Sequence, residues 1–238
     1  MNLKNIPGMK QAMADRLSDS ALLRKFAPYT LGGYALFREI TDKDGAVSAR
    51  MKALFMAVAA VAKHHEDLAR EELRRGVSLG LELKDAVAGL IVLSSLRGEG
   101  TALAFQALIE HLYPAAREPQ PPVPAIPVAE GEALANFTEY FGTVPPPLMV
   151  MLKLLPKGAD AYYLMRKGSI DSNPLSAKFG ELLLLAVLAA DYSPMSARHV
   201  AGARNAGASD EEIAETIICA VPAGGIAAWM AAAPFLVE

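Results

Sequence analysis

Apolar residues recur at helical spacing along most of the chain, and no stretch alternates apolar and polar residues over enough positions to predict a strand. Two stretches, residues 51–65 and the run that follows Ser176, have no polar face, so we expect both to form buried helices. The pattern therefore predicts an all-α fold. The other predicted helices cover residues 9–27, 66–75, 83–96, 101–112, 134–141, 148–155, 159–167, 193–206 and 226–234, with one more after Ser209.

Two of these helices have specific start signals. Ser193 and Pro194 form a good N-cap and first-turn pair, and Gly207 marks the end of the helix that they would begin. Ser209, followed three residues later by Glu212, has the spacing of a capping box, in which each side chain bonds the other residue's backbone N–H. We therefore expect helices to begin at both places.

The two halves of the chain resemble each other. Residues 48–65 match 176–193 in order and polarity, with Val58 set against Val187 at an offset of 129, and residues 80–93 match 207–220 at an offset of 127. Between the halves, residues 114–128 hold six prolines and predict a semi-rigid connector. A duplication explains the match: a first repeat over 1–113, a linker over 114–130 and a second repeat over 131–238, packed as one pseudo-symmetric helical body.

Composition narrows the possible partners and location. With 23 Lys and Arg against 26 Asp and Glu, the net charge of −3 offers no electrostatic footprint for nucleic acid. The single cysteine, Cys219, excludes an intramolecular disulfide or a redox pair. Pro7 and Gly8 interrupt the N-terminal segment, and the longest apolar runs, 53–62 and 182–190, are shorter than the ~20 residues of a membrane span. We expect a cytoplasmic protein with no membrane or nucleic-acid partner.

At this point the second half resembles a known family. The segments NFTEYFGTVPPPLMVML and SNPLSAKFGELLLLAVLAADYSPMSARHVAGARNAGASDEEIAETI are similar to the carboxymuconolactone decarboxylase family, which includes alkyl hydroperoxidase D. A glutamate within an apolar helix, a His-x-x-x-Ala-x-x-x-Gly-Ala run and a capping-box acidic helix occur in the family's order, whereas the first half matches only in outline. The resemblance implies an all-helical bundle like that of alkyl hydroperoxidase D, assembled into homo-oligomers, and a double-repeat chain favours a trimer.

The resemblance also indicates candidate site residues. In the peroxidase branch the motif is a glutamate, then Cys-x-x-Cys, then a histidine four residues after the second cysteine. Glu181 and His199 take the glutamate and histidine positions, but Tyr192 and Met195 stand at the two cysteine positions, and neither can form a thiolate or a disulfide. A thiol peroxidase cycle is therefore the less favoured hypothesis. Cys219 is the single cysteine and has no second cysteine with which to form the redox pair.

A carboxylate and an imidazole remain, and they can act together as general acid and base. We predict catalytic roles for Glu181 and His199 in decarboxylation or isomerisation of a small lactone or keto acid, with no metal and no cofactor. Tyr192 would add a hydroxyl donor toward a developing enolate. The decarboxylase branch of the family offers a precedent for cofactor-free chemistry.

The alternative is a non-catalytic oligomeric binding or scaffold protein that keeps only the fold. Glu181 and His199 would then be a buried pair that fixes two helices, and Tyr192 and Met195 would be ordinary fillers. A cavity at the pair would favour catalysis on a small-molecule ligand, whereas a dry pair with no opening would favour the scaffold.

The first repeat carries no matching chemistry. At the two offsets, Lys52 falls opposite Glu181 and Glu72 falls opposite His199, so we expect the first repeat to supply packing surface or one wall of a pocket. The adjacent His64 and His65 would point about 100° apart on a helix and could not easily share a metal ion.

Overall fold

The structure is a computed structural model that describes residues 17–119 and 121–237, so the part of the first predicted helix over residues 9–16 lies outside it. Helices account for nearly all regular structure in these ranges, and no strand occurs in them, which confirms the all-α prediction. Short 3₁₀ turns cover Leu17–Asp19, Pro114–Arg117 and Ala233–Leu236. The helices are α1 (Ala21–Phe26), α2 (Pro28–Asp42), α3 (Ala49–Ala62), α4 (Glu66–Ser78), α5 (Leu83–Leu112), α6 (Glu132–Phe141), α7 (Pro146–Leu154), α8 (Pro156–Ile170), α9 (Ala177–Ala190), α10 (Ser196–Asn205), α11 (Asp210–Gly224) and α12 (Ile226–Ala232).

The two helices without a polar face form the centre of the bundle. Almost every residue of α3 and most residues of α9 are buried, and the two helices pack against each other and against α11. Each begins at a serine N-cap, Ser48 or Ser176, whose hydroxyl accepts a hydrogen bond from a backbone N–H of the first turn. The apolar pattern therefore located the core correctly, because helices that bury all their faces have nowhere else to lie.

Helix α5 is the one helix, within the ranges that the structure describes, that is long and apolar enough by composition to cross a membrane. Those two properties are weak evidence, because a buried core helix has them as well. Gly98 interrupts α5 with φ 77° and ψ −179°, so two helical pieces, 83–97 and 99–112, meet at a bend. Several α5 side chains pack into the main core against α3 and α9.

A second, smaller apolar cluster lies outside the main core. Phe137 of α6 and Tyr163 of α8 are buried in it together with Ala133 and Ala159, and α7 packs on its side. Residues 121–129 have no regular structure, as their prolines predict. The cluster holds α6 against α8, so the C-terminal end of α6 lies beside α9 and α10, where the candidate site is found.

Two details differ from the sequence-based predictions. Helix α10 begins at Ser196 rather than at Ser193 and Pro194, because Ser193 forms a turn in which its carbonyl accepts from the Ser196 N–H and its hydroxyl accepts from the Met195 N–H. The predicted N-cap at Ser193 was therefore two residues too early, since the observed N-cap is Met195. The capping box at Ser209 is confirmed, with both of its hydrogen bonds present.

The helix bounds also correct the alignment of the two halves. Helices α3 and α9 both have 14 residues, and their first residues, Ala49 and Ala177, differ by 128 rather than 129. At this offset Ala53, not Lys52, falls opposite Glu181. At this offset the first half thus has a methyl group where the second half has a carboxylate.

Candidate functional site

Glu181 and His199 meet where α9 and α10 pack against each other. Glu181 lies in the second turn of α9 and His199 in the first turn of α10, and the imidazole Nδ1 is 2.7 Å from the carboxylate Oε2. Both residues are buried, with 9% and 7% of their surface exposed. Because an ionised carboxylate only accepts, the hydrogen bond requires a proton on Nδ1, and a neutral imidazole in this tautomer has its lone pair on Nε2. Within the described ranges Nε2 has no hydrogen-bond partner.

The pair depends on a glycine one turn beyond the histidine. A Cβ at Gly202 would lie 2.6 Å from Oε2 and 2.7 Å from Cδ of Glu181, closer than real Cβ atoms approach other atoms. Only a residue without a side chain lets α10 approach α9 closely enough for this hydrogen bond.

Two adjoining cavities flank the pair. The larger, of about 470 Å³, is polar and contains Glu181 in its wall, whereas the smaller, of about 160 Å³, is mainly apolar and contains His199. Arg166 and Tyr140 line both cavities. The structure therefore places the pair against open space on two sides. The larger cavity is also lined by Asn136, Glu139, Ile170, Asp171, Arg198, Ala201, Gly202 and Asn205.

Arg166 is a functional candidate that the sequence-based predictions did not include. It lies on α8, only 8% exposed, and it forms no ion pair with any carboxylate in the described part of the chain. Its guanidinium stacks on the Tyr140 ring, 3.7 Å from the centroid, and its Nε donates to Asn136 Oδ1 at 3.3 Å. Burial raises the pKa of the Tyr140 hydroxyl, and the Glu181 charge raises it further, against an opposing effect of Arg166.

A repeated spacing could have revealed Arg166. Helices α2 and α8 both have 15 residues and both begin with proline, and Arg38 and Arg166 are the eleventh residue of each. A tyrosine stands four residues before each arginine, at Tyr34 and Tyr162. This match at an offset of 128 lies outside the stretches in which the resemblance between the halves was recognised.

Tyr192 is not brought to the pair. It follows α9 with φ 57°, its hydroxyl donates to the Gly224 carbonyl at 2.6 Å, and the Lys63 ammonium lies 4.7 Å from its ring centroid. It lines neither cavity. Met195, at the other cysteine position, is partly exposed and does line the small cavity.

In the first half of the chain the buried arginine Arg38 is neutralised by an ion pair. Glu72, at the position that matches His199, accepts from Arg38 at 2.7 Å and from Arg75 at 2.8 Å. Burial acts to lower the pKa of Arg38, but the charge and hydrogen bond of Glu72 outweigh it and hold the pKa above its usual value. A cavity of about 250 Å³ beside Arg38 and Tyr34 therefore has no uncompensated buried charge from this arginine.

Neither Cys219 nor Lys52 belongs to the site. Cys219 is fully buried, and burial raises the pKa of its thiol. Lys52, 1% exposed, donates to the Ile40 carbonyl and to Glu215 and thereby ties α3 to α11. Among the residues that the structure describes, no group of three or more His, Cys, Asp or Glu side chains is arranged to hold a metal ion.

The match to a known protein family lies in the second half of the chain. Residues 156–238 match the model of the carboxymuconolactone decarboxylase family. No curated protein sequence matches the chain. A crystal structure from Burkholderia xenovorans LB400, of a protein provisionally described as a gamma-carboxymuconolactone decarboxylase subunit, has a similar fold, with a TM-score of 0.60 and 21% identity over 91% of this chain and 88% of that one. Residues 156–238 are therefore similar to the carboxymuconolactone decarboxylase family, as the resemblance of the second half predicted.

Proposed function

We propose that the protein is an enzyme that moves a proton at a carbon next to a carbonyl group of a small organic acid or lactone, with His199 as the base. The observation that carries this proposal is the 2.7 Å contact between His199 Nδ1 and Glu181, placed between two cavities. A carboxylate that accepts from Nδ1–H fixes the orientation and tautomer of the imidazole and stabilises the imidazolium that forms.

The chemistry requires only groups of the chain. In an isomerisation, Nε2 of His199 takes a proton from the carbon, the C–H electron pair becomes an enolate, and the imidazolium returns the proton to a conjugated carbon. In a decarboxylation His199 begins as the imidazolium, with a proton taken from solvent. The C–C bond to the carboxylate breaks, CO₂ leaves, the electron pair of that bond stays on the carbon, and Nε2–H protonates this carbon. The Arg166 guanidinium, rather than the Tyr192 hydroxyl, lies where it can stabilise the developing negative charge.

The alternatives have less support. A scaffold protein has no need for two cavities at the Glu181–His199 pair, whereas an enzyme or a binding protein does. A thiol peroxidase would need a reactive thiolate near the pair, and Tyr192 and Met195 hold the positions at which the family's peroxidases have cysteines. Cys219 is buried in the core and has a raised pKa.

A homo-oligomer, with a trimer favoured, and a cytoplasmic location remain part of the proposal. Exposed apolar side chains that such an assembly would cover include Leu22 and Phe26 of α1, Tyr29 of α2, and Leu154 and Leu155 beside α7.

Solvent exchange tests the proposed chemistry. The protein would be incubated in deuterated buffer with 2-oxobutanoate, phenylpyruvate or 2(5H)-furanone, and loss of the proton next to the carbonyl would be followed by ¹H NMR. We expect exchange to be about 10²–10⁴ times faster with the wild type than with His199→Ala, because a positioned general base contributes that much. Glu181→Gln should lose a large part of the same effect.

The matched control is His111→Ala, which removes an exposed histidine far along the chain from the pair and should leave the exchange rate unchanged. Equal exchange by wild type and His199→Ala, with every probe, would contradict the acid–base proposal and favour the scaffold alternative.

A further inference from the structure

The small cavity has an unusual chemical character for a site beside a catalytic pair. It has a volume of about 160 Å³, and apolar or aromatic side chains form most of its wall. Its apolar lining includes Leu184 and Leu188 of α9, Leu96 of α5, Ile170 of α8 and Phe141 of α6. A space of this kind suits an apolar group.

The two serine hydroxyl groups in the wall add little polarity for an occupant, because they bond each other and a backbone carbonyl. Ser169 Oγ donates to the Met165 carbonyl at 3.0 Å, and Ser95 Oγ lies within hydrogen-bond distance of Ser169 Oγ and can donate to it. This arrangement leaves His199 and Arg166 as the charged or basic groups that face an occupant.

The size of the cavity indicates the occupant. An apolar protein cavity of about 150 Å³ binds benzene and excludes water, and the small cavity has about the same volume. A six-membered ring would therefore fill it. A short, polar keto acid or lactone would leave much of its apolar wall without contacts, which costs favourable dispersion energy.

The second requirement on the occupant is an anionic group at Arg166. The guanidinium is buried without a carboxylate partner, and such a charge gains most from a ligand that neutralises it. Glu181 also lines the large cavity, but it is bonded to His199. Glu139, Asp171 and Arg198 line it too, but they are exposed to water, which screens their charges.

We infer that the substrate is a carboxylic acid with an apolar ring of about benzene size, whose ring lies in the small cavity beside His199 and whose carboxylate lies against Arg166. This inference rests on the proposed function, because it concerns the same site. It narrows the substrate from small polar acids and lactones to acids that carry an aryl or cyclohexyl group.

Binding of phenylacetate, compared with acetate, tests the inference without any turnover. Isothermal titration calorimetry on the wild-type protein should show phenylacetate binding roughly 10- to 100-fold more tightly than acetate, because the ring leaves water for an apolar cavity. Benzyl alcohol, which has the ring but no charge, should bind at least about tenfold more weakly than phenylacetate. Equal affinities for phenylacetate and acetate would overturn the inference.

Two matched variants assign the ring to the small cavity. Leu188→Phe fills the cavity and should weaken phenylacetate at least about tenfold while leaving acetate unchanged. Leu108→Phe makes the same change at a core position of similar burial, 7% against 8% exposed, that lines neither cavity, and it should retain both affinities. Equal loss in both variants would overturn the assignment. Met195→Trp, at a partly exposed position of the cavity wall, serves if Leu188→Phe does not fold.

The outcomes separate this inference from the proposed function. Tight phenylacetate binding without proton exchange would support the ring site and contradict the acid–base chemistry. If 2-oxobutanoate exchanges its proton in a His199-dependent way but a ring adds no affinity, the acid–base chemistry is supported and the ring site is contradicted.

Discussion

Replacing Gly202 by alanine displaces the Glu181 carboxylate and leaves the other groups of the site in place. The new Cβ would lie 2.6 Å from Oε2 of Glu181, whereas ordinary contacts begin at 3.4 Å, so the carboxylate must retreat by about 0.8 Å. That shift would lengthen the 2.7 Å bond to His199 Nδ1 toward 3.5 Å, where little of its energy remains.

The two energetic effects of the substitution oppose each other. A hydrogen bond to a charged group contributes about 1.5–3 kcal/mol, and alanine in place of glycine stabilises a helix interior by roughly 0.5–1 kcal/mol. We expect Gly202→Ala to lose about 1–2 kcal/mol, or about 2–8 °C in Tm for a chain of this size. Activity should fall much further, by about 100-fold, because a misplacement near 1 Å costs that much in an oriented site.

Thermal unfolding and the deuterium-exchange rate, measured on the same samples, separate these effects. Gly180→Ala is the matched control: it lies next to Glu181 on α9, has no atom within 4 Å of its added Cβ, and should be slightly stabilised with activity retained. Normal exchange by a folded Gly202→Ala protein would refute the argument that the carboxylate positions His199. An equal loss of activity in both variants would refute it as well.

Two further predictions concern the stability of the fold. Glu215→Gln should cost about 3 kcal/mol at pH 7, seen in urea unfolding, because buried Lys52 loses its carboxylate partner. Partial burial acts to raise the pKa of Glu215, but hydrogen bonds from the Val47 N–H, Lys52 and the Ala46 N–H lower this pKa below its usual 4.5. The stabilisation is therefore present above pH 4.5. The difference in stability between wild type and variant should disappear as the pH falls below the lowered pKa. Ser209→Ala should lower the free energy of unfolding by about 1 kcal/mol through loss of the capping box, whereas Ser209→Asp should retain it; equal values for both would contradict the role of the cap.

The helices were predictable because their apolar spacing directly reflects burial, but several boundaries were not. Helices α7 and α8 begin at Pro146 and Pro156, two and three residues before the positions that apolar spacing indicated. Proline fits the first turn of a helix because the N–H that it lacks would have no partner there. A rule that treated proline only as a terminator therefore placed these starts too late. At Ser193 the opposite error occurred, since a serine and a proline that fit a helix start form a turn instead.

The candidate site was only partly predictable, because its parts differ in how far their signals extend along the chain. Glu181 stands out as a carboxylate in an apolar helix, and His199 lies in the next helix along the chain. Arg166 reaches the same site from α8 through the packing of the small apolar cluster, which no local pattern specifies. Tyr192 was predicted near the pair because it stands at a cysteine position of the family motif, but it has a left-handed φ of 57° and its hydroxyl bonds the Gly224 carbonyl instead.

The arginine shared by α2 and α8 distinguishes the two halves of the chain, because in the described residues Arg38 has a carboxylate partner and Arg166 has none. We propose that the halves arose by duplication, and Arg38 and Arg166, at equivalent positions, support this. In the first half, Glu72 neutralises Arg38 at 2.7 Å, which leaves no charge for a ligand. In the second half the equivalent residue is His199, which bonds Glu181 instead and leaves Arg166 without a carboxylate. Because an imidazole can be neutral and a carboxylate at this position is charged, this one difference decides whether the buried guanidinium belongs to the packing or to the ligand.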